Sequence, residues 1–262
     1  MSLYETIAFS LIGTPLQNPA EGLRWVKGLP HRWKHPELRE LYQESKRAKT
    51  LLERTITPGM NCIDIGCHIG SVLHEIIRLS PGGRHIAVEP LPYKVERLRR
   101  KYPRVDVQQV ALGEENSTVE FYYNPRNSGF SGLRGDGQGD STTLRVECKR
   151  LDDIVPPGFR IGFIKLDVEG GEYAVFLGAR RVLSESRPIV LFECTRSGLE
   201  AFGFRPAQIF SFLVDEQGYR IYLLKDWLSG GSPIDLPRFE GSMTYPFQAF
   251  NYVAAPESSK PR

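Results

Sequence analysis

A chain of 262 residues, 40% hydrophobic and 25% charged, has the makeup of an ordinary globular protein, long enough for one large domain or one domain with appendages. Its formal net charge of +3 is too weak for a dedicated nucleic-acid binder, and the densest basic run (Arg97, Arg99, Arg100 and Lys101, beside Glu96) reads as the solvated face of a helix. The four cysteines, Cys62, Cys67, Cys148 and Cys194, form no CxxC pair and no metal-ligand spacing, so buried thiols in a reducing cytoplasm are expected.

Along the chain, the apolar run at residues 7 to 12 follows Glu5 with no Lys or Arg ahead of it, unlike a signal peptide. No run approaches the length of a membrane span. "HRWKHPE", residues 31 to 37, offers His31, Trp33 and His35, either as the lining of an acceptor pocket or as the aromatic anchor of an N-terminal cover. Residues 37 to 54 set Leu38, Leu41, Ser45, Ala48 and Leu52 on one face at helical spacing, which predicts an amphipathic covering helix. Pro58 and Gly59 turn the chain.

A strand and helix rhythm begins there. Strands are predicted at "NCIDI", "RHIAVEP", "VDVQQVAL", "IGFIKLDV", "PIVLFECT", "YRIYLL" and "FNYVAA". Helices are predicted over residues 70–79, 91–102, 171–184 and 206–217. Such alternation specifies a mostly parallel sheet with helices on both faces. A polar, Gly-rich interruption at 127–140 reads as a flexible loop or lid, or as a disordered insert. About 24 irregular residues are expected between the last two strands.

In an open α/β sheet the ligand sits outside the carboxyl ends of the strands. Asp64-Ile65-Gly66-Cys67-His68-Ile69-Gly70 lies at that point of the first strand. Gly66 lets the backbone approach a ligand closely, and Gly70 opens a helix whose amides favour negative charge. Against the dinucleotide pattern G-x-G-x-x-G, the second and third glycines are His68 and Ser71, so a pyrophosphate would be poorly cradled. Against acid-x-G-x-G-x-G, the turn that binds S-adenosylmethionine, Asp64, Gly66 and Gly70 fit and only the middle glycine has become His68. The cofactor's ammonium gives the acid its reason. Glu89, 19 residues past Gly70 and followed by Pro90, ends the second strand where an acid accepts ribose hydroxyls in either cofactor class.

At "CIDIGCHIG", "AVEPLP", "VALG", "RLDDI", "FIKLDVEGGEYAVFLGA" and "VLFE", in that order over roughly residues 58 to 195, the sequence resembles the FkbM-type methyltransferases of the class I S-adenosylmethionine-dependent group. The resemblance implies a Rossmann-like, seven-stranded, mostly parallel sheet with a reversed last strand. It also implies O-methylation of a sugar, glycoconjugate or natural-product hydroxyl. Residues 1–56 are read as an N-terminal helical cover, 57–256 as the methyltransferase domain and 257–262 as a tail. The cofactor contacts expected are Asp64, Gly66, Cys67, His68, Gly70, Glu89, Pro90, Ala111, Leu112, Ser131 and Asp167, with adenine beside Val110, Ala111 and Leu112 and near Gly129.

Methyl transfer to a weakly nucleophilic hydroxyl calls for positioning and for a group that takes its proton. Asp167, Glu169 and Glu193, at the ends of neighbouring strands, are the candidates, with Asp167 ranked first. A divalent metal such as Mg²⁺ on these acids is compatible with the sequence but not demanded by any spacing. Lys165 is read as structural, paired with Asp64, Glu169 or Glu193. His68 is read as a cofactor contact in preference to a catalytic group, with a helix cap as the alternative. The rivals are an N-methyltransferase, although Asp167-Val168-Glu169-Gly170 stands where many of those have Asn-Pro-Pro-Tyr, and an inactive cofactor-binding module.

Overall fold

The computed structural model describes residues 3–17, 29–123, 142–257 and 259. Its centre is a seven-stranded sheet of order β3-β2-β1-β7-β8-β10-β9. The strands are β1 Cys62–Ile65, β2 Ile86–Val88, β3 Asp106–Gln108, β7 Phe163–Leu166, β8 Ile189–Glu193, β9 Tyr219–Leu223 and β10 Asn251–Pro256. The pairs β1·β2, β1·β7, β2·β3 and β7·β8 are parallel, and β10 is antiparallel to both β8 and β9. The last strand is therefore reversed, as expected, and is inserted one place in from the edge. From β1 the chain winds outward to β2 and β3, then returns across to β7. The gap between the ends of β1 and β7 is the switch point at which open sheets of this kind bind ligands.

Strand alternation sorts the core into two layers. Ile63, Ile65, Ile164, Leu166, Val190 and Phe192 face one way, against the helices that follow β7 and β8. Cys62, Phe163, Leu191, Val253 and Ala255 face the other way, onto Leu51, Leu52, Ile76 and Trp227. All four cysteines are buried and none is in a disulfide. Among the described residues no helix is long and apolar enough to cross a membrane.

Four predicted elements differ. The single helix over 37–54 is a 3-10 turn Pro36–Leu38, a short helix Arg39–Tyr42 and a longer helix Glu44–Thr55, α2. Its buried anchors are Glu44, Leu51 and Leu52, whereas Ser45 is exposed. The strand "VDVQQVAL" splits because its ladder with β2 ends at Gln108, and Val110, Ala111 and Leu112 are buried beyond it. Ala111–Leu112 becomes β4 of a second sheet, parallel to β6 Thr142–Lys149, which forms a hairpin with β5 Ser117–Tyr123. The helix over 171–184 breaks at Gly178, where a Cβ would lie 2.1 Å from the carbonyl oxygen of Gly113. Its second half, Arg180–Ser186, starts on Asp152 of "RLDDI", whose carboxylate accepts from the amides of Arg181 and Val182, both at 2.9 Å. The residues joining β9 and β10, expected to be irregular, hold two short helices, Leu224–Leu228 and Leu236–Ser242. The 127–140 segment, with Gly129 and Ser131, lies outside the described residues.

The N-terminal part is tied to the sheet by one buried acid. Glu44 Oε1 accepts from the amides of Phe250 and Asn251, and Oε2 from Asn251 Nδ2, all at 3.1 Å. Glu44→Ala leaves those donors without their acceptor and is expected to cost about 3 kcal/mol in urea unfolding. Glu44→Gln keeps a carbonyl acceptor and should lose less.

Candidate functional site

The turn after β1 is shaped by three left-handed residues. Gly66 (φ 72°) and Cys67 send their amides to Val88 O at 2.9 and 3.1 Å, which pins the turn to β2. A Cβ on Gly66 would lie 1.7 Å from Asp167 O, so only glycine lets the ends of β1 and β7 meet. Gly70 (φ 79°) caps the helix Ser71–Leu79, hereafter α3, and its own Cβ would strike Leu98 at 2.7 Å. Between them His68 also has φ 51°, at the place where a third glycine was missed. A non-glycine residue pays about 1–2 kcal/mol for that conformation. Its amide donates to Glu89 Oε2 at 2.9 Å, and its Nε2 lies 3.5 Å from Glu5 Oε1 on the first helix, α1 (Leu3–Leu11). Burial, then the Lys94 charge, push the His68 imidazole down to about 4, so it is neutral at neutral pH.

Two buried acids stand at the strand ends. Asp64 is 1% exposed; neither carboxylate oxygen has a well-formed hydrogen bond among the described residues, although the Leu73 backbone favours its ionised form. Burial pushes it up to about 6 against the opposing pull of Lys165. Glu89 is held by the amides of His68 and Leu91, at 2.9 and 3.1 Å, and is raised by burial. Lys94, a residue the sequence reading passed over, joins them from the first turn of the helix Pro92–Lys101, α4. It is 3% exposed, and burial lowers its ammonium while Glu89, then Glu5, raise it. The available signal was its place one turn before the buried Leu98, at a helix N-terminus where a cation is unfavourable.

On β7, Lys165 is in register with Asp64. Its direct partner is Asp167, not the Asp64, Glu169 or Glu193 expected: Nζ donates to Asp167 Oδ2 at 2.9 Å and to Gly66 O at 3.3 Å. Chain adjacency explains this, because residues two apart on a strand share a face. Although burial alone lowers it, Asp167 and then Asp64 raise the ammonium above the ordinary lysine range. Burial, then Asp167, push Glu169 up to about 7 and Glu193 up to about 8.

These groups enclose a cavity of about 320 Å³. Asp64, Glu89, Asp167 and Glu169 supply its acids, Lys94 and Lys165 its cations, and Gly66, Cys67 and His68 its floor. Pro90, Leu91, Ala111, Leu112 and Phe121 form an apolar side, with Phe121 contributed by the unforeseen hairpin. Gly70 shapes the turn from behind, and Glu193 lies off the wall at the end of β8. Four acids against two lysines leave a surplus of two negative charges when all are ionised. Such a wall suits a ligand with a flat apolar end and a cationic end. Among the described residues no three His, Cys, Asp or Glu side chains converge as a metal site. Trp33 is 83% exposed, while His31 and His35 stack on each other, with His31 bonded to Tyr42.

The family model for the methyltransferase FkbM domain matches residues 64–221, more than half of the chain. No curated protein matches. Solved structures resemble the chain at low identity. The FkbM methyltransferase of Methylobacillus flagellatus has 19% identity and a TM-score of 0.48 over 75% of this chain and 43% of that one, so the chain spans less than half of that relative. Fibrillarin of Aeropyrum pernix with bound S-adenosylmethionine has 14% identity and a TM-score of 0.41, over 80% of this chain and 74% of its own. The plantazolicin methyltransferase with S-adenosylhomocysteine has 10% identity and a TM-score of 0.40, over 96% and 93%.

Two outcomes are expected from the site's geometry. Gly66→Ala should cost about 3 kcal/mol or more in urea unfolding, from left-handed strain plus a backbone clash. Gly59→Ala, with φ 83° and no described atom within 4 Å, should cost only about 1 kcal/mol. The second outcome concerns pH. Asp64, Glu169, Glu172 and Glu193 all hold protons more tightly when folded, with values of about 6, 7, 7 and 8. Their stabilisation is complete below the unfolded carboxylate range and is lost as pH rises through those values. The lowered histidines His68, His74 and His85 act in the opposite sense, but only below about pH 6.5. Melting temperature should therefore fall between pH 6.5 and 8.5, and less steeply in Glu193→Gln.

Proposed function

Because the chain belongs to the FkbM methyltransferases, we propose that its cavity holds S-adenosylmethionine and that the enzyme methylates a hydroxyl of a sugar, glycoconjugate or natural-product acceptor. One observation supports the cofactor assignment above the others: the buried Asp64, with neither carboxylate oxygen in a well-formed hydrogen bond among the described residues, lines a cavity whose acids outnumber its lysines. A bare buried carboxylate is costly unless a cation meets it. The methionine ammonium is such a cation, whereas the pyrophosphate of a dinucleotide would add negative charge to an acidic wall.

The remaining groups fit the rest of the cofactor. Glu89 keeps lone pairs for the ribose hydroxyls beyond the two amides that hold it. Pro90, Leu91, Ala111, Leu112 and Phe121 form the slot for adenine. The amides of the Gly66–Gly70 turn and of the α3 N-terminus favour the cofactor's carboxylate. Bound there, the cofactor supplies an electrophilic methyl group on a sulfonium.

Asp167, ranked first from sequence, already accepts from Lys165, so we assign it to orienting the strand ends and the acceptor. Proton removal falls to Glu169, which lines the cavity and titrates near 7, so that a substantial fraction is carboxylate at neutral pH. Glu193, off the wall, is itself pushed up by burial, then by the charges of Asp167 and Glu169.

Calorimetry should give binding of S-adenosylhomocysteine and none of NAD. In Glu169→Gln, incorporation of labelled methyl from S-adenosylmethionine into a glycan and metabolite extract should fall about 10²–10⁴-fold with S-adenosylhomocysteine affinity nearly unchanged. Binding of NAD alone would overturn the cofactor assignment. Normal labelling by Glu169→Gln would return the base to Asp167 or Glu193.

A further inference from the structure

The "VEGGE" run contains a second acid that the mechanism above leaves unused. Glu172 opens the helix Glu172–Leu177 and is 1% exposed. An acid in the first turn of a helix gains from the helix dipole while remaining in water, so the dipole does not account for burial. What accompanies the burial is specific: Oε1 accepts from the amides of Val168 and Gly170, both at 3.1 Å. The carboxylate reaches back across the turn that carries Glu169. That turn is strained, with Glu169 at φ 58° and Gly170 at φ 106°. Its outer side is pressed on the backbone of Gly198, where a Cβ on Gly170 would lie 2.5 Å from Gly198 O. Gly198 is itself fixed, because its amide donates to Thr195 Oγ1, two residues past the end of β8.

From this we infer that Glu172 is a positioning residue: by bridging the amides of Val168 and Gly170 against the Gly198 backstop, it holds Glu169 in its left-handed conformation and keeps the Glu169 carboxylate on the cavity wall. The inference deepens the assignment of Glu169 as proton acceptor and rests on it for its catalytic meaning. Without Glu172, two amides lose their acceptor and only the Gly198 backstop opposes the return of Glu169 to the right-handed region, which is lower in energy for a residue with a side chain. The second oxygen of Glu172 is buried and has no hydrogen-bond partner among the described residues. Its charge therefore bears on its neighbours with little screening.

Glu172→Gln and Glu172→Ala separate these effects. A glutamine carbonyl can accept from both amides while the charge is removed; alanine removes both. Hydrogen exchange of the Val168 and Gly170 amides should stay slow in Glu172→Gln and accelerate by at least tenfold in Glu172→Ala. S-adenosylhomocysteine, the probe for the cavity, should bind both variants within about threefold of wild type, as it does Glu169→Gln, while methyl transfer falls at least about tenfold in Glu172→Ala and less in Glu172→Gln. The charged groups facing Glu169 are Asp167 and Glu172 of its own turn, Lys165 on β7, Lys94 on α4 and Glu193 on β8. Loss of the Glu172 charge in the Gln variant should move the Glu169 carboxylate titration, followed by carbon-13 NMR and assigned with Glu169→Gln, to lower pH. Amides equally slow in all three proteins would overturn the inference, as would an unmoved Glu169 titration in Glu172→Gln. If Glu172→Ala does not fold, Glu172→Met, close in volume but without an oxygen acceptor, replaces it in the exchange measurement, and the Glu169 titration in Glu172→Gln is read as before. Failure of wild type to bind S-adenosylhomocysteine would instead sink the cofactor assignment, leaving the amide and titration measurements to judge Glu172.

Discussion

A single lysine ammonium lies at the seam between β1 and β7, and the site is arranged around it. Lys165 touches Asp167 and the Gly66 carbonyl, faces Asp64 across the register, and acts against the raised proton affinity of Asp64, Glu89, Glu169 and Glu193. Burying so many acids together is unfavourable unless a cation is fixed among them. Because one contact of Lys165 is to the cofactor turn and the other to the acid that follows β7, the same charge also holds the two strand ends in relation to each other. The close approach of Gly66 to Asp167 adds a steric condition to the electrostatic one.

The N-terminal segment takes part in this arrangement more than a passive cover would. Lys101 of α4 donates to Phe9 O and Ile12 O, at 2.9 and 2.8 Å, capping the end of α1, and its ammonium lies 4.7 Å from the centre of the Phe9 ring. At the other end of α1, Glu5 meets His68. A helix that lies outside the family-matched region thus bears on the one residue of the turn that departs from the glycine pattern. The strain of that left-handed histidine is offset by contacts from two directions, Glu89 on its amide and Glu5 on its ring.

Much of the fold was legible because it follows from period and punctuation. The buried β-branched runs, the acids at the ends of the first two strands and the glycines at positions 66 and 70 all sit where alternation placed them, and β10 is reversed as the family resemblance implied. What was missed depends on contacts between distant segments. Nothing near Gly178 announces the carbonyl of Gly113 that breaks its helix. The helices Leu224–Leu228 and Leu236–Ser242 are too short to show a period. The hairpin of β5 and β6 was hidden by the polar segment between its arms, so the contribution of Phe121 to the cavity was not foreseen. Lys94 was visible as a cation on an apolar helix face and was overlooked, whereas the pairing of Lys165 with Asp167 needed only the two-residue spacing to be taken literally. The site roles of Asp64, Glu89 and Glu169 remain assignments from chemistry.

The imbalance of charge on the cavity wall bears on how a catalytic cycle would end. Under the proposed reaction, the cofactor enters with a sulfonium and departs as a neutral thioether. At an effective dielectric constant of about 20, a unit charge several ångströms from an uncompensated carboxylate is worth a few kcal/mol. The acidic surplus of the wall therefore favours the incoming form over the outgoing one, and loss of the positive charge weakens the grip on the spent molecule at the moment it must be exchanged. The acidity that draws the methyl donor in would, by the same electrostatics, limit inhibition by the product.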